Sequence, residues 1–128
     1  LSAFDVVAQV LQHPRCMNCH PVGERPLQFD ASTPHAMNVV RGDDDRGAPG
    51  MRCAGCHAGS NPDVSHLPPG VSSEWRLAPR SMAFEGLSKA ELARMLLDEE
   101  RSHLSPEELV RHVEHDPLVR WGWEPGPG

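Results

Sequence analysis

The segments Arg15-Cys-Met-Asn-Cys-His20 and Arg52-Cys-Ala-Gly-Cys-His57 carry the same six-residue pattern, Arg-Cys-x-x-Cys-His. Together they contain all four cysteines of a chain of 128 residues. Each cysteine therefore belongs to a pair, and a histidine directly follows each pair. Three chemistries use paired cysteines at this spacing: a zinc site, disulfide bonds and covalent attachment of haem.

Zinc and disulfides each leave part of the pattern unexplained. A structural zinc ion takes four ligands in a tetrahedron, and the four cysteines could supply them. The gap between the two pairs is wide for a small zinc ribbon, and this interpretation gives no role to His20 or His57. Disulfides within each Cys-x-x-Cys unit are geometrically tight, and they also leave the histidines without a purpose.

Covalent haem uses every residue of both motifs. Two thiols form thioether bonds to the vinyl groups of one haem, and the histidine that follows ligates the iron. We therefore predict two covalently attached haem c groups, with His20 and His57 as iron ligands. The predicted cofactor-binding residues are Cys16, Cys19, His20, Cys53, Cys56 and His57.

The composition agrees with a chain that depends on a large cofactor. It has 11 glycines and 13 prolines, three Phe, three Trp and no Tyr. A single small domain of this kind, residues 1–128, buries little apolar surface from its side chains alone. Disulfides, metals or cofactors usually supply the missing stabilisation.

Three segments begin with the capping box Ser-x-x-Asp or Ser-x-x-Glu, which starts helices. The boxes are Ser2–Asp5, Ser88–Glu91 and Ser105–Glu108. Apolar residues on either side would form hydrophobic staples, Leu1 with Val6 in the first case. Pro14 should end the first helix, and the last should end near Asp116, before Pro117.

The segment between Pro21 and Pro79 shows neither a good strand nor a long helix. So long a structureless segment inside one domain needs something to organise it. We predict a mainly α, loop-rich fold, a small c-type cytochrome with about three helices packed around two covalently bound haems.

Each iron of an electron carrier needs a second ligand, and three residues are candidates. His35 lies in a proline-bounded loop upstream of the second motif. Met82 follows a proline-containing loop and precedes a capped helix, although it would equally suit the core. His112 lies at the edge of the apolar face of the last helix, whereas His115 lies nearly opposite. We predict His35 for the second haem, and Met82 in preference to His112 for the first.

Several segments together resemble a family of small secreted dihaem cytochromes c. Bacterial genomes often label these as subunits or companions of isoquinoline 1-oxidoreductase-type molybdenum hydroxylases. The segments are HPRCMNCHPVGERPLQ (13–28), PHAMNVVRG (34–42), RCAGCH (52–57), LAPRSMAFEG (77–86) and HDPLVRWGWEPGPG (115–128). The resemblance implies electron transfer, with histidine at positions 35 and 112 and methionine at 82. It departs at Arg76, where the family often has histidine.

The resulting functional prediction is a periplasmic or secreted electron carrier and not an enzyme. Its expected partners are redox proteins, among them the molybdenum hydroxylase that the resemblance implies and a membrane or soluble electron acceptor. The net charge of −6 argues against nucleic acid, and no apolar run reaches the ~18 residues of a membrane span. The chain starts with Leu1 and not Met, in agreement with a removed export signal.

Two alternatives remain open at this point. The first is a haem peroxidase or gas sensor, which would need one iron with an open sixth position. The second is a zinc-binding structural module. The acidic run Asp43–Asp45 suggests part of a docking surface for a basic partner, although a solvated loop tip is the simpler interpretation.

Overall fold

The computed structural model describes residues 2–71 and 73–127, and within them the chain is mostly helical and loop-rich, as predicted. The described residues form six α-helices. These are α1 (Ala3–Leu11), α2 (Pro14–Met17), α3 (Lys89–Leu96), α4 (Glu99–Ser102), α5 (Pro106–His115) and α6 (Pro117–Trp123). None of them is long and apolar enough to cross a membrane.

All three predicted capping boxes are present. Ser2, Ser88 and Ser105 each accept a hydrogen bond from the backbone of the acidic residue three positions on, whose carboxylate binds back to the cap. These boxes begin α1, α3 and α5 and satisfy amides that have no partner within the helix. The proposed staple that includes Leu1 lies outside the described residues.

Three shorter helices were not predicted, and two of them start at prolines that we expected only to end helices. Pro14 and Pro117 do end α1 and α5, but each is also the first residue of the next helix. Proline suits this position because its φ is already helical and no amide hydrogen is needed there. The third, α4, is capped by Asp98.

The middle of the chain contains two short antiparallel ladders, which the sequence did not indicate. The first pairs β1 (Leu27–Gln28) with β2 (Thr33–Pro34), and the second pairs β3 (Gly47–Ala48) with β4 (Met51–Arg52). Each strand is two residues long. Such strands are too short to show the alternating pattern by which strands are recognised. The second ladder leads directly into Cys53.

The apolar core is small and lies between α1, α3 and the segment just before α3. Its buried members are Ala8, Met82, Phe84, Leu92 and Met95. The 3₁₀ turn Arg80–Met82 brings Met82 into this cluster. Because so few side chains are buried, the loops must be held by polar contacts.

Arg41 supplies most of those contacts in the loop-rich middle. Its side chain is fully buried, and its Nη1 lies 2.7 Å from Asp45 Oδ1. The guanidinium also donates to the carbonyls of Ala78 at 3.0 Å, Gly23 at 3.3 Å and Pro21 at 3.4 Å. One buried cation thus joins the segment after the first motif to the segment before Met82.

Arg41→Met should lower the free energy of unfolding by about 3–5 kcal/mol, because it leaves Asp45 and three carbonyls without their partner. Methionine keeps the apolar stem at similar length. Urea unfolding followed by circular dichroism measures the loss. Arg80→Met is the matched control, since Arg80 pairs with Glu24 at the exposed surface and should contribute about 1 kcal/mol or less. Equal losses in the two variants would contradict a structural role for Arg41.

Candidate functional site: two histidine centres

Each Cys-x-x-Cys-His motif folds into a tight helical turn. In the first, Cys16 lies on α2, and the amide of His20 donates to the carbonyl of Met17 at 2.9 Å. In the second, Cys53–Gly55 form a 3₁₀ turn, and the amide of His57 donates to the carbonyl of Cys53 at 2.8 Å. Both turns therefore keep two thiols and one imidazole within a short length of backbone.

The ring of His20 is held on its Nδ1 edge and on one face. Nδ1 lies 2.6 Å from the carbonyl oxygen of Met82, and Phe84 stacks on the ring with centres 3.7 Å apart. A carbonyl only accepts, so Nδ1 carries the proton and Nε2 keeps its lone pair. Burial lowers the pKa of His20 to about 4, although the bond to Met82 opposes that shift. The ring is therefore neutral at pH 7, the form that binds metals.

The ring of His57 is held in the same way by different residues. Nδ1 donates to the carbonyl of Pro69 at 2.7 Å, and Trp75 stacks on the ring with centres 4.2 Å apart. Burial lowers the pKa of His57 as well. Gly70 allows this close approach, because a Cβ there would collide with the carbonyl of Ala58. Two motifs far apart in sequence thus present the same imidazole tautomer.

His35 lies across from His57. The two ring centres are 6.2 Å apart with the ring planes inclined by 68°. Two imidazoles that bind one metal ion through nitrogens about 2 Å from it have centres about 6 Å apart. His35 Nδ1 donates to the carbonyl of Ala36 at 2.9 Å, so its Nε2 is also free to ligate. The structure brings these two predicted residues together.

His112 lies on α5 near the first motif. It is close enough to His20 for its charge to contribute to the lowered pKa of that ring. Its Nδ1 lies 3.5 Å from Asp116 Oδ2, and the side chain is about one-third exposed. His112 is therefore a candidate for the second ligand of the first centre.

The placement of Met82 argues against our prediction that it ligates the first haem. Its carbonyl oxygen receives the Nδ1 proton of His20, so the residue lies at the edge of the ring away from Nε2. Its side chain is 6% exposed and packs against Phe84 and Leu92 in the core. Of the two candidate second ligands of the first centre, Met82 and His112, these contacts favour His112.

The two motifs approach each other at Cys19 and Cys53. Burial raises the pKa of Cys19 to about 11, with further contributions from the charges of Cys16, Cys53 and Asp116.

Three backbone hydrogen bonds connect the motifs through the segment 77–78. They join the amide of Ala78 to Cys19 O, that of Leu77 to Asp45 O, and that of Cys53 to Arg46 O.

All four cysteines lie within the described ranges and are free thiols. Among residues 2–71 and 73–127, no group of three or more His, Cys, Asp or Glu side chains is arranged to hold a metal ion. This finding gives the zinc alternative no support. It does not bear on thioether attachment, which uses carbon–sulfur bonds to the porphyrin and one or two histidines at the iron.

The acidic run Asp43–Asp45 is engaged largely within the chain. Asp45 pairs with Arg41, and Asp44 pairs with Arg52 at 2.6 Å. Only Asp43 has no contact of this kind among those described here. Of the docking surface predicted for this run, only Asp43 thus remains without an ion pair among the described residues.

Several residues of the two centres were not recognised from sequence. Phe84, Trp75 and Pro69 position the motif histidines from loops that carry no periodic signal. Asp116 contacts His112 from four positions further along the chain. The sequence could have indicated this contact, because residues at i and i+4 are neighbours on a helix.

Comparisons of the chain with protein-family models, with curated proteins and with solved structures found no match. The resemblance to dihaem cytochromes c stays a prediction.

The cysteines should differ in reactivity in the haem-free chain. Iodoacetamide at pH 8 should modify exposed Cys56 first and Cys19 last. Cys19 is only partly exposed, and with a pKa of about 11 only about one thiol in a thousand is ionised at pH 8. Mass spectrometry of the digested protein gives the order. In concentrated urea the difference should disappear, and equal rates in the folded chain would contradict the placement of Cys19.

Proposed function

We propose that the protein is a dihaem c-type cytochrome that transfers electrons and does not itself catalyse a reaction. The observation that best supports this is the duplicated histidine arrangement. Each motif histidine donates from Nδ1 to a backbone carbonyl and has a second histidine nearby. Hydrogen bonds of this kind fix the tautomer and orientation of metal-binding histidines in general.

The residues present fit two covalently attached haem c groups. Cys16 and Cys19 would hold one, and Cys53 and Cys56 the other, with His20 and His57 as the first iron ligands. When bound, haem supplies an iron that changes between the ferric and ferrous states. The protein's part is to bind, to orient the imidazoles and to keep water from the iron.

The second ligands in this proposal are His112 at the first centre and His35 at the second. Both centres would then be bis-histidine, in place of the one His/Met centre expected from sequence. Two imidazoles on each iron would leave no open position for peroxide or a gas. This supports electron transfer over the peroxidase or sensor alternative.

The proposed location is the periplasm or another exported compartment, because bacteria form these thioether bonds outside the cytoplasm. The proposed partners are redox proteins, with electrons passing between an enzyme and the respiratory chain. The resemblance suggests a molybdenum hydroxylase as that enzyme and a membrane or soluble protein as the acceptor. Two motifs that approach at Cys19 and Cys53 would suit exchange of an electron within the chain.

The proposal is tested first by covalent attachment. When the chain is made with a haem-attachment system, its mass should exceed that of the polypeptide by two haems, and acid–acetone should extract none. Cys19→Ala and Cys56→Ala should each remove one thioether bond, whereas His66→Ala, at an exposed position outside both motifs, should change nothing. Complete extraction of haem from the wild-type protein would end the proposal.

The second test concerns the ligands. His112→Ala and His35→Ala should each convert one low-spin haem to a high-spin form that binds carbon monoxide. Met82→Leu should leave the absorption spectrum and both midpoint potentials unchanged, because leucine fills a similar volume in the core. A weak band near the red end of the ferric spectrum that disappears in Met82→Leu would restore the methionine. High-spin ferric bands in the wild type would instead favour the peroxidase or sensor.

A further inference from the structure

Asp116 connects α5 to α6 and uses its two carboxylate oxygens for different purposes. Oδ1 accepts from the amides of Leu118 at 2.8 Å and Val119 at 3.4 Å, which caps α6. Oδ2 lies 3.5 Å from Nδ1 of His112. Capping alone needs one neutral oxygen, and asparagine or serine serves equally well. The second oxygen is therefore not needed for the cap hydrogen bonds.

The charge of Asp116 is directed at the first centre. The carboxylate is about one-fifth exposed, so its field is only partly screened by water. The group of the first centre that it contacts is the ring of His112. Its distance from Nδ1 is at the outer limit of a hydrogen bond, so a small movement of either side chain would close it.

The four candidate iron ligands differ in what receives their Nδ1 proton. His20, His57 and His35 face the neutral carbonyls of Met82, Pro69 and Ala36. His112 faces a carboxylate. A charged acceptor makes the imidazole a stronger electron donor than a peptide carbonyl does, because it draws the proton away from the ring. The two centres are thus unequal even if both are bis-histidine.

We infer that Asp116 is a positioning residue for the first centre: it holds His112 with Nε2 free for the iron, and its charge stabilises the ferric state there. This inference rests on the proposed function, since it needs His112 as a ligand. The two haems would then have different midpoint potentials although neither iron is bound by a methionine. The first centre holds its electron less strongly than a bis-histidine centre with carbonyl acceptors would.

Asp116→Asn tests the inference because asparagine keeps the cap of α6 and removes the charge. One of the two midpoint potentials should rise, with the ferrous-to-ferric ratio at a fixed potential increasing on the order of tenfold, or about 59 mV for one electron. The other potential should not move, and both haems should stay low-spin. Asp116→Ser, which also caps, should shift the same potential in the same direction.

Asp98→Asn is the matched control. Asp98 caps α4 through the amides of Glu100 and Arg101, and among the described residues no hydrogen bond or ion pair joins it to a histidine. It should leave both potentials unchanged. Unchanged potentials in Asp116→Asn and Asp116→Ser, or an equal shift in Asp98→Asn, would overturn the inference while leaving two attached haems in place.

The tautomer of His112 separates this inference from the proposed function. If the purified chain carries no haem, the proposed function fails, and ¹⁵N NMR of His112 then decides on Asp116 alone. A proton on Nδ1 in the native chain that is partly lost in Asp116→Asn would support the positioning role. A proton on Nε2 in the native chain would overturn it.

Discussion

A single buried guanidinium holds together the part of the chain that lacks regular structure. Arg41 binds carbonyls on both sides of the first centre, those of Pro21 and Gly23 after the first motif and that of Ala78 before Met82. The carboxylate of Asp45 balances its charge. Burying a cation is costly unless it is paired and fully hydrogen-bonded, and here both conditions are met. Because Arg41 sets the distance between these two segments, the carbonyl that receives the His20 proton depends on it.

The local signals of the sequence predicted the local structure well. Three capping boxes began three helices, and both cysteine motifs formed turns as compact as their spacing implies. The helical position of His112 also placed it correctly, at the boundary between core and solvent. These features depend on interactions between residues three or four apart. Such spacings are visible in any sequence without knowledge of the fold.

The contacts that complete the centres could not be predicted in this way. Met82 lies in a loop-proline-methionine-helix context that suits an iron ligand, yet the structure uses its backbone oxygen for His20 and its side chain for the core. The sequence identifies the residue, but it does not show whether the side chain or the backbone carbonyl makes the functional contact. The acceptor of the His20 proton and the ring that stacks on it come from loops without periodicity. Arg41 gave no sign of being buried, since an arginine in a Gly- and Asp-rich loop is normally exposed.

The two centres also differ in the sequence separation between the motif histidine and the carbonyl that it binds. The carbonyl that binds His57 is 12 positions away, whereas the one that binds His20 is 62 positions away. The entropy lost in closing a loop grows with its length, and distant contacts form more slowly than near ones. The contacts that hold His57 lie within residues 35–75, so they close with a smaller loss of chain entropy than those of the first centre. The first needs residues 82–84 and α5 to return to the N-terminal motif, so during folding the centre that comes later in the sequence would begin to form earlier.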